Sequence, residues 1–262
     1  MPLPSLVIGL AGFGGSLDVT SDQDWVYAPA HADPEPRADL RPELDPPWHQ
    51  GRLLSCSAHA AAAALQHARR RAGQDDTVPS RLFLYYTGLQ KAGAAGARGT
   101  FPVGLRDTWR AINEWGAPPE PAWPYPRWRW KRAIEEPPPK AYEAARPHAG
   151  TVRYERIPGN DLGLVRASLS EGVPVACSIA VHRGFRKLRG ADATVRVPGP
   201  DEEPIDRHSV LAVGYDDDKA TLIIRNSWGV RWGDAGHCRM PYAFAEQLRC
   251  ANDFWRVAST SG

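Results

Sequence analysis

Residues 50–71 read QGRLLSCSAHAAAAALQHARRR, and the fold is decided in them. From Ser55 to Arg70 the composition asks for a helix. Six alanines lie from Ala58 to Ala64, interrupted only by His59, and alanine has the strongest intrinsic helix preference. Ser55 suits the N-cap, and Arg69, Arg70 and Arg71 stand where the negative end of a helix favours cations. Gly73 is suited to end the element. A rod this poor in large side chains lets other elements approach closely, so it belongs at the centre of a domain. Its first turn carries Cys56. Unsatisfied N–H groups and the positive dipole end stabilise a thiolate there, which makes Cys56 a candidate nucleophile.

Working outward, the first 50 residues hold eight prolines with acidic residues between them. Each removes a backbone donor and biases its predecessor to extended backbone, so residues 16–49 read as an arm over the surface. Residues 80–89 (SRLFLYYTGL) have helical spacing of apolar groups but strong strand formers, and either type fits. Residues 93–104 are a Gly/Ala-rich loop. Residues 105–115 (LRDTWRAINEW) repeat apolar groups at 105, 109, 112 and 115, an amphipathic helix that Gly116 ends. Residues 118–139 carry eight prolines and form a connector. Within it, residues 127–132 (RWRWKR) read as a crossing segment with packed tryptophans and solvated cations, or as a patch for an anionic partner.

After Thr151 the texture turns to strands: VPVACSI at 173–179, 195–197, VLAVGY at 210–215 and TLIIR at 221–225. DDDK at 216–219 is a hairpin-type turn, and residues 161–171 form a short amphipathic helix. Helices first and antiparallel strands second give an α+β chain of two lobes. The expected division is an extended arm over 1–37, a mainly helical lobe over 38–145 and a mainly antiparallel lobe over 146–262.

The chain has 262 residues, of which 42% are hydrophobic and 24% charged, which excludes general disorder. A net charge of +2 gives no reason to expect nucleic acid. Four widely spaced cysteines make neither a disulfide framework nor a zinc site, so a reducing, cytoplasmic setting is the simplest reading. Cys238 and Cys250 fit either a pair or two thiols. No apolar run reaches the roughly 20 residues of a membrane span, so no membrane partner is expected. The short apolar run at 3–15 lacks a basic start, although secretion is not excluded by it. His59 stands three residues after Cys56, but no second pair at metal spacing exists; packing is the better reading, and no metal or cofactor is expected. Oligomeric state is not legible.

Two further features converge on Cys56. His208 enters the VLAVGY strand, and an imidazole facing the thiol can take its proton and later give it to a leaving group. Asn226 opens NSWG just after TLIIR, and its amide can accept the imidazole N–H and fix the ring. Trp228 is suited to keep water off that bond.

Together, QGRLLSC at 50–56, RHSVLAVGYD at 207–216 and IIRNSWGVRWGDAGH at 223–237 resemble the papain family of cysteine peptidases. Three spaced motifs in one order are far more specific than any one of them. Weaker echoes are GTFP at 99–102, the WPY stretch at 123–125, and PVACSI followed by Phe185 and Arg189-Gly190, so the resemblance spans roughly 38–242. It is similar above all to the prosegment-poor bacterial branch. The resemblance implies a two-lobe papain-like fold whose second lobe is an antiparallel, barrel-like sheet, with an active-site cleft between the lobes. It implies Cys56 as nucleophile, His208 as general acid/base, Asn226 as the group orienting it, and Gln50 with the Cys56 N–H as oxyanion hole. Gly99, Thr100, Phe101, Arg207 and Trp228 would border bound peptide or protein substrate.

The chain departs from the family pattern at Leu53, where a disulfide cysteine is usual, at Ser57 after the nucleophile, at Thr100 in the peptide-binding loop and at Arg207 before the histidine. These departures unsettle ordinary subsite preferences. Alternatives are therefore dedicated acyl transfer on the same residues (leader-peptide processing, ligation or deamidation) or an idle peptide-binding homologue. The N-terminal arm is expected to cover the cleft in place of a propeptide.

Overall fold

The first helix shows why its alanines are needed. In the computed structural model, which describes residues 21, 24–29, 34–96, 100–126, 135–159, 161–247 and 250–260, α1 (Cys56–Arg71) is withdrawn from solvent on every side from Cys56 to Leu65. A helix buried all round must be surrounded by other elements. α2 (Arg81–Lys91) and α3 (Leu105–Trp115) cover one side of it and the sheet covers the other. The ambiguous run at 80–89 is helical, and its start is fixed by a cap: the Ser80 hydroxyl accepts the Phe83 N–H at 3.2 Å. α3 stops at Gly116, whose φ is +80° and where a Cβ would come within 2.1 Å of the Ala145 carbonyl oxygen. Only glycine meets both conditions. A short helix, α4 (Pro139–Ala145), follows the connector. Residues 127–132 and the loop residue Gly99 lie outside the described residues, as does most of the N-terminal arm.

The strands are β1 (Arg37–Asp39), β2 (Arg153–Ile157), β3 (Val175–Val181), β4 (Asp206–Asp216), β5 (Thr221–Arg225), β6 (His237–Pro241) and β7 (Ala251–Ser259). α5 (Leu162–Ser170) and the single turn α6 (Tyr242–Ala245) lie between them, α5 being capped by Asp161 on Leu164 N–H at 3.1 Å. The sheet is antiparallel with the order β2-β7-β3-β4-β5-β6, and β1 pairs with β4. β1 sits against Gly214–Asp216, beyond the point where β3 leaves β4. Gly214 permits this, because a Cβ there would meet the Ala38 carbonyl oxygen at 2.3 Å. The barrel-like expectation takes the form of an antiparallel sheet that is not closed: among the described residues β2 and β6 are its ends.

β3, buried at all seven positions, is the centre of the second half. The residues at 195–197 form no strand; Thr194 makes a single bridge to Arg239, and Pro198, Pro200 and Pro204 then withhold donors. β2, β6 and β7 were not expected from the residue pattern. Of the arm, residues 25–27 run along β2, and residues 36–49 run from the edge of β4 towards the head of α1.

Candidate active site

The loop that delivers Cys56 is held from three sides. Its backbone runs beside the loop after β5: Gln50 N–H donates to Ser227 O at 2.8 Å and Gly229 N–H to Trp48 O at 3.0 Å. From β5, the buried Arg225 donates to the carbonyls of Asp45 and Pro46 and stacks on Trp48 at 5.1 Å. Burial pulls Arg225 down to about 10, so it stays a cation at neutral pH. From the connector comes Tyr125. Its single hydroxyl proton goes to the Gln50 carbonyl (2.8 Å), so the Ser55 hydroxyl must donate to Tyr125 Oη (2.6 Å). Ser55 therefore stands at the N-cap position of α1 without capping it. His59 Nδ1 donates to the Ser55 carbonyl at 3.0 Å, and its ring packs edge-on against Tyr125 at 4.8 Å. Burial holds His59 well below the usual imidazole range, so it is a neutral packing residue. No group of histidine, cysteine and carboxylate side chains among the described residues could hold a metal.

Gln50 is itself clamped. Its Oε1 accepts the Ser227 hydroxyl at 2.5 Å and its Nε2 donates to Leu53 O at 2.8 Å. An amide oxygen pinned by a hydroxyl leaves the NH₂ group pointing the other way, with a second N–H to offer.

The imidazole side is built from strand register. His208 lies opposite Ile179 in the β3–β4 ladder, and Asn226 follows the last residue of β5. Their side chains meet, His208 Nε2 to Asn226 Oδ1, at 2.7 Å. The same Oδ1 accepts the Ser227 backbone N–H at 2.7 Å. A backbone N–H can only donate, so the atom facing it is the amide oxygen, and His208 Nε2 must carry a proton. In the neutral ring Nδ1 then holds a lone pair, and among the described residues it has no hydrogen-bond partner. Trp228 lies over the ring at 4.9 Å, backed by Phe185 and Trp232 at 5.4 Å each.

The thiol reaches this strand at Ser209, the residue after His208. Cys56 and His208 are only 1% and 0% exposed. Burial pushes the Cys56 thiol up, against the opposing pull of the Ser209 amide and hydroxyl and the Ser57 amide. Burial likewise pushes His208 down to about 4, although Asn226 and Asp206 favour its charged form. The helix head was expected to favour the thiolate. Burial acts against that, pushing the thiol up and the imidazole down.

Comparison with known proteins identifies the family. The sequence pattern described as papain family cysteine protease matches residues 36–254. The chain belongs to the papain family. A peptidase C1-like protein of Acanthamoeba polyphaga mimivirus is 32% identical over 79% of this chain and 68% of its own. Mexicain of Jacaratia mexicana is 32% identical over 49% of this chain and 53% of its own. Among solved structures, xylellain, a cysteine protease from Xylella fastidiosa, superimposes with a TM-score of 0.85 at 29% identity, covering 95% of this chain and 96% of that one. Procathepsin L 3 of the Tenebrio molitor larval midgut shares the fold at a TM-score of 0.72, with 19% identity over 94% of this chain and 76% of that one.

Of the remaining papain-type positions, Phe101 is 37% exposed, and its backbone N–H and C=O both bond the Tyr85 hydroxyl at 3.1 and 2.9 Å, beside the half-buried Thr100. Arg207 stands on the opposite face of β4 from His208, where its charge is felt by Asp253, Cys250 and Cys177. Sequence reasoning missed Tyr125 as a clamp, Ser227, Arg225 and Asp206. The last was within reach, because strand alternation puts residues 206 and 208 on one face.

Proposed function

We propose that the chain hydrolyses peptide bonds through Cys56, His208, Asn226 and Gln50. As Sγ attacks the substrate carbonyl carbon, His208 Nδ1 takes the thiol proton. The charge gathering on the carbonyl oxygen meets the spare Gln50 N–H and the Cys56 backbone N–H. Collapse expels the amine, which leaves with the proton from Nδ1 and a thioester on Cys56. His208 then deprotonates water, the hydroxide adds to the thioester, and collapse releases the acid and returns the proton to sulfur. Trp228 keeps water from the His208–Asn226 bond throughout.

The observation that carries this reading is Asn226 Oδ1 accepting two N–H groups, which leaves the base lone pair on His208 Nδ1. The test is alkylation with iodoacetamide followed by peptide mapping. One equivalent on Cys56 with parallel loss of amidase activity is expected, and full activity in Cys56→Ala overturns the mechanism. The proposed setting is a reducing, cytoplasmic one, in which the four buried cysteines, joined by no disulfide, stay thiols.

A dedicated acyl transfer (processing one leader peptide, ligation or deamidation) draws support from one observation. Both reacting side chains are almost fully buried, which narrows the set of acyl groups that reach them. Product mass spectrometry on a peptide library separates the two, since cleavage at many unrelated sites excludes a dedicated role.

A further inference from the structure

Two buried polar atoms near the reacting groups take no part in the reaction above. One belongs to His59, which is 3% exposed and stands on the first turn of α1 after Cys56. Its Nδ1 bonds the Ser55 carbonyl at 3.0 Å. A carbonyl only accepts, so Nδ1 carries the ring's proton and Nε2 holds a lone pair. The other atom is Nδ2 of Asn226, also 3% exposed. The Oδ1 of that amide accepts from two N–H groups, which turns the NH₂ group away from His208. Among the described residues neither His59 Nε2 nor Asn226 Nδ2 has a hydrogen-bond partner. A buried donor or acceptor left unpaired is destabilising, so each of these atoms calls for something to bond.

Both residues line one cavity, between α1, β4 and the end of β5. Its volume is about 10 Å³, the size that admits a single water. Arg225 lines it too and stays a cation, which argues against a metal ion or an ammonium group as the occupant. Ser209 adds a further polar residue to the wall. A water there accepts from Asn226 Nδ2–H and donates to His59 Nε2, which satisfies both atoms with the polarity each requires. Burial and the charges of Arg81 and Arg225 hold His59 well below the usual imidazole range, so Nε2 keeps its lone pair.

We propose that this cavity is a site for one water and that His59, acting through it, is a positioning residue for Asn226 and His208. The bonds then run in one sense. His208 Nε2–H donates to Asn226 Oδ1, Asn226 Nδ2–H to the water, the water to His59 Nε2, and His59 Nδ1–H to the Ser55 carbonyl. Each donor polarises the next. The chain ends on the residue before Cys56, so the amide that fixes the imidazole is tied to the turn that carries the thiol. The effect of His59 on rate rests on the peptidase reading above, whereas the water site does not.

The test uses the full chain and begins with a high-resolution crystal structure. One water is expected within about 3.2 Å of both His59 Nε2 and Asn226 Nδ2. The second measurement is nitrogen-edited NMR of the His208 ring. His59→Phe fills the ring's volume but offers no acceptor, and it should move the His208 Nε2–H proton upfield; His59→Gln offers an acceptor again and should restore the shift in part. The third is peptide cleavage, with kcat counted per Cys56 that iodoacetamide alkylates, so that a smaller folded fraction drops out. In His59→Phe kcat should fall about 3- to 10-fold with KM unchanged, the size of one hydrogen bond, and His59→Gln should recover most of it. A map with no water bonded to both atoms, a His208 resonance unmoved in His59→Phe, or a loss that His59→Gln does not recover overturns the proposal. If His59→Phe fails to fold, the crystal structure of the unaltered chain decides the matter. If no peptide is cut at all, the peptidase reading fails, and the map and the resonance still decide the water site.

Discussion

The two halves of the site are held by different means. At the head of α1 the thiol is placed indirectly: the helix is buried all round, its first residue is Cys56, no side chain caps it, and the polar clamps of Arg225 and Tyr125 act on the loop before it rather than on the thiol. On β4 and β5 the imidazole is placed by side chains, through Asn226, Trp228 and the Ser227 N–H. A helix end fixes a position at the cost of exposing unsatisfied N–H groups, which in the proposed mechanism would stabilise an oxyanion. A strand fixes spacing but leaves the ring free to rotate, so an external acceptor has to fix it. On the Cys56 side, loss of a clamp should therefore act mainly on stability, whereas on the imidazole side loss of a single polar atom should act directly on the ring.

The strongest test of this contrast is Cys56→Ala. Alanine already fills the following turn, so thermal stability should change little while kcat falls by at least about 10⁴-fold in a peptidase assay. Next in size is Gln50→Ala, for which a loss of about 10²–10³ in kcat with KM little changed is expected, because the amide acts on charge present only in the transition state. Tyr125→Phe probes the loop clamp rather than the chemistry. It removes the bond to the Gln50 carbonyl and leaves the Ser55 hydroxyl without its acceptor; a loss of about 1–2 kcal/mol in denaturant unfolding and a smaller drop in kcat are expected. An unchanged kcat would show that packing alone holds the loop.

The smallest effect sharpens the strand side. Burial raises Asp206 to about 6, and its carboxylate favours the protonated form of both Cys56 and His208. Removing that negative charge lowers both affinities for protons. The acid limb of kcat/KM against pH should therefore move to lower pH in Asp206→Asn, by less than one unit. A shift to higher pH would contradict the placement of Asp206 beside the pair.

The same contrast explains what could be read in advance. α1 and α3 were plain from alanine content and from apolar spacing at 105, 109, 112 and 115, and β4 and β5 from VLAVGY and TLIIR. β2 (RYERI) and β7 (ANDFWRVAS) were hidden, because three of their charged residues, Glu155, Asp253 and Arg256, are buried within the fold. Arg256 of β7 reaches Glu155 of β2 at 3.7 Å and Glu171 at 2.7 Å, and Asp253 accepts the Trp255 indole N–H. A pattern rule that places charges outside passes over such strands. At the site, three motifs marked Cys56, His208 and Asn226 along the chain. The Tyr125 clamp was not legible, since nothing local ties residue 125 to residues 50 and 55.

β7 stands between β2 and β3 although it follows every other strand in the chain. A ribosome thus releases β1–β6 and α1–α6 before the strand that joins β2 to the rest. Nascent chains stalled ahead of residue 251 should lack the completed sheet and the cleavage activity proposed to depend on it, so the last described strand gates the activity of the growing chain.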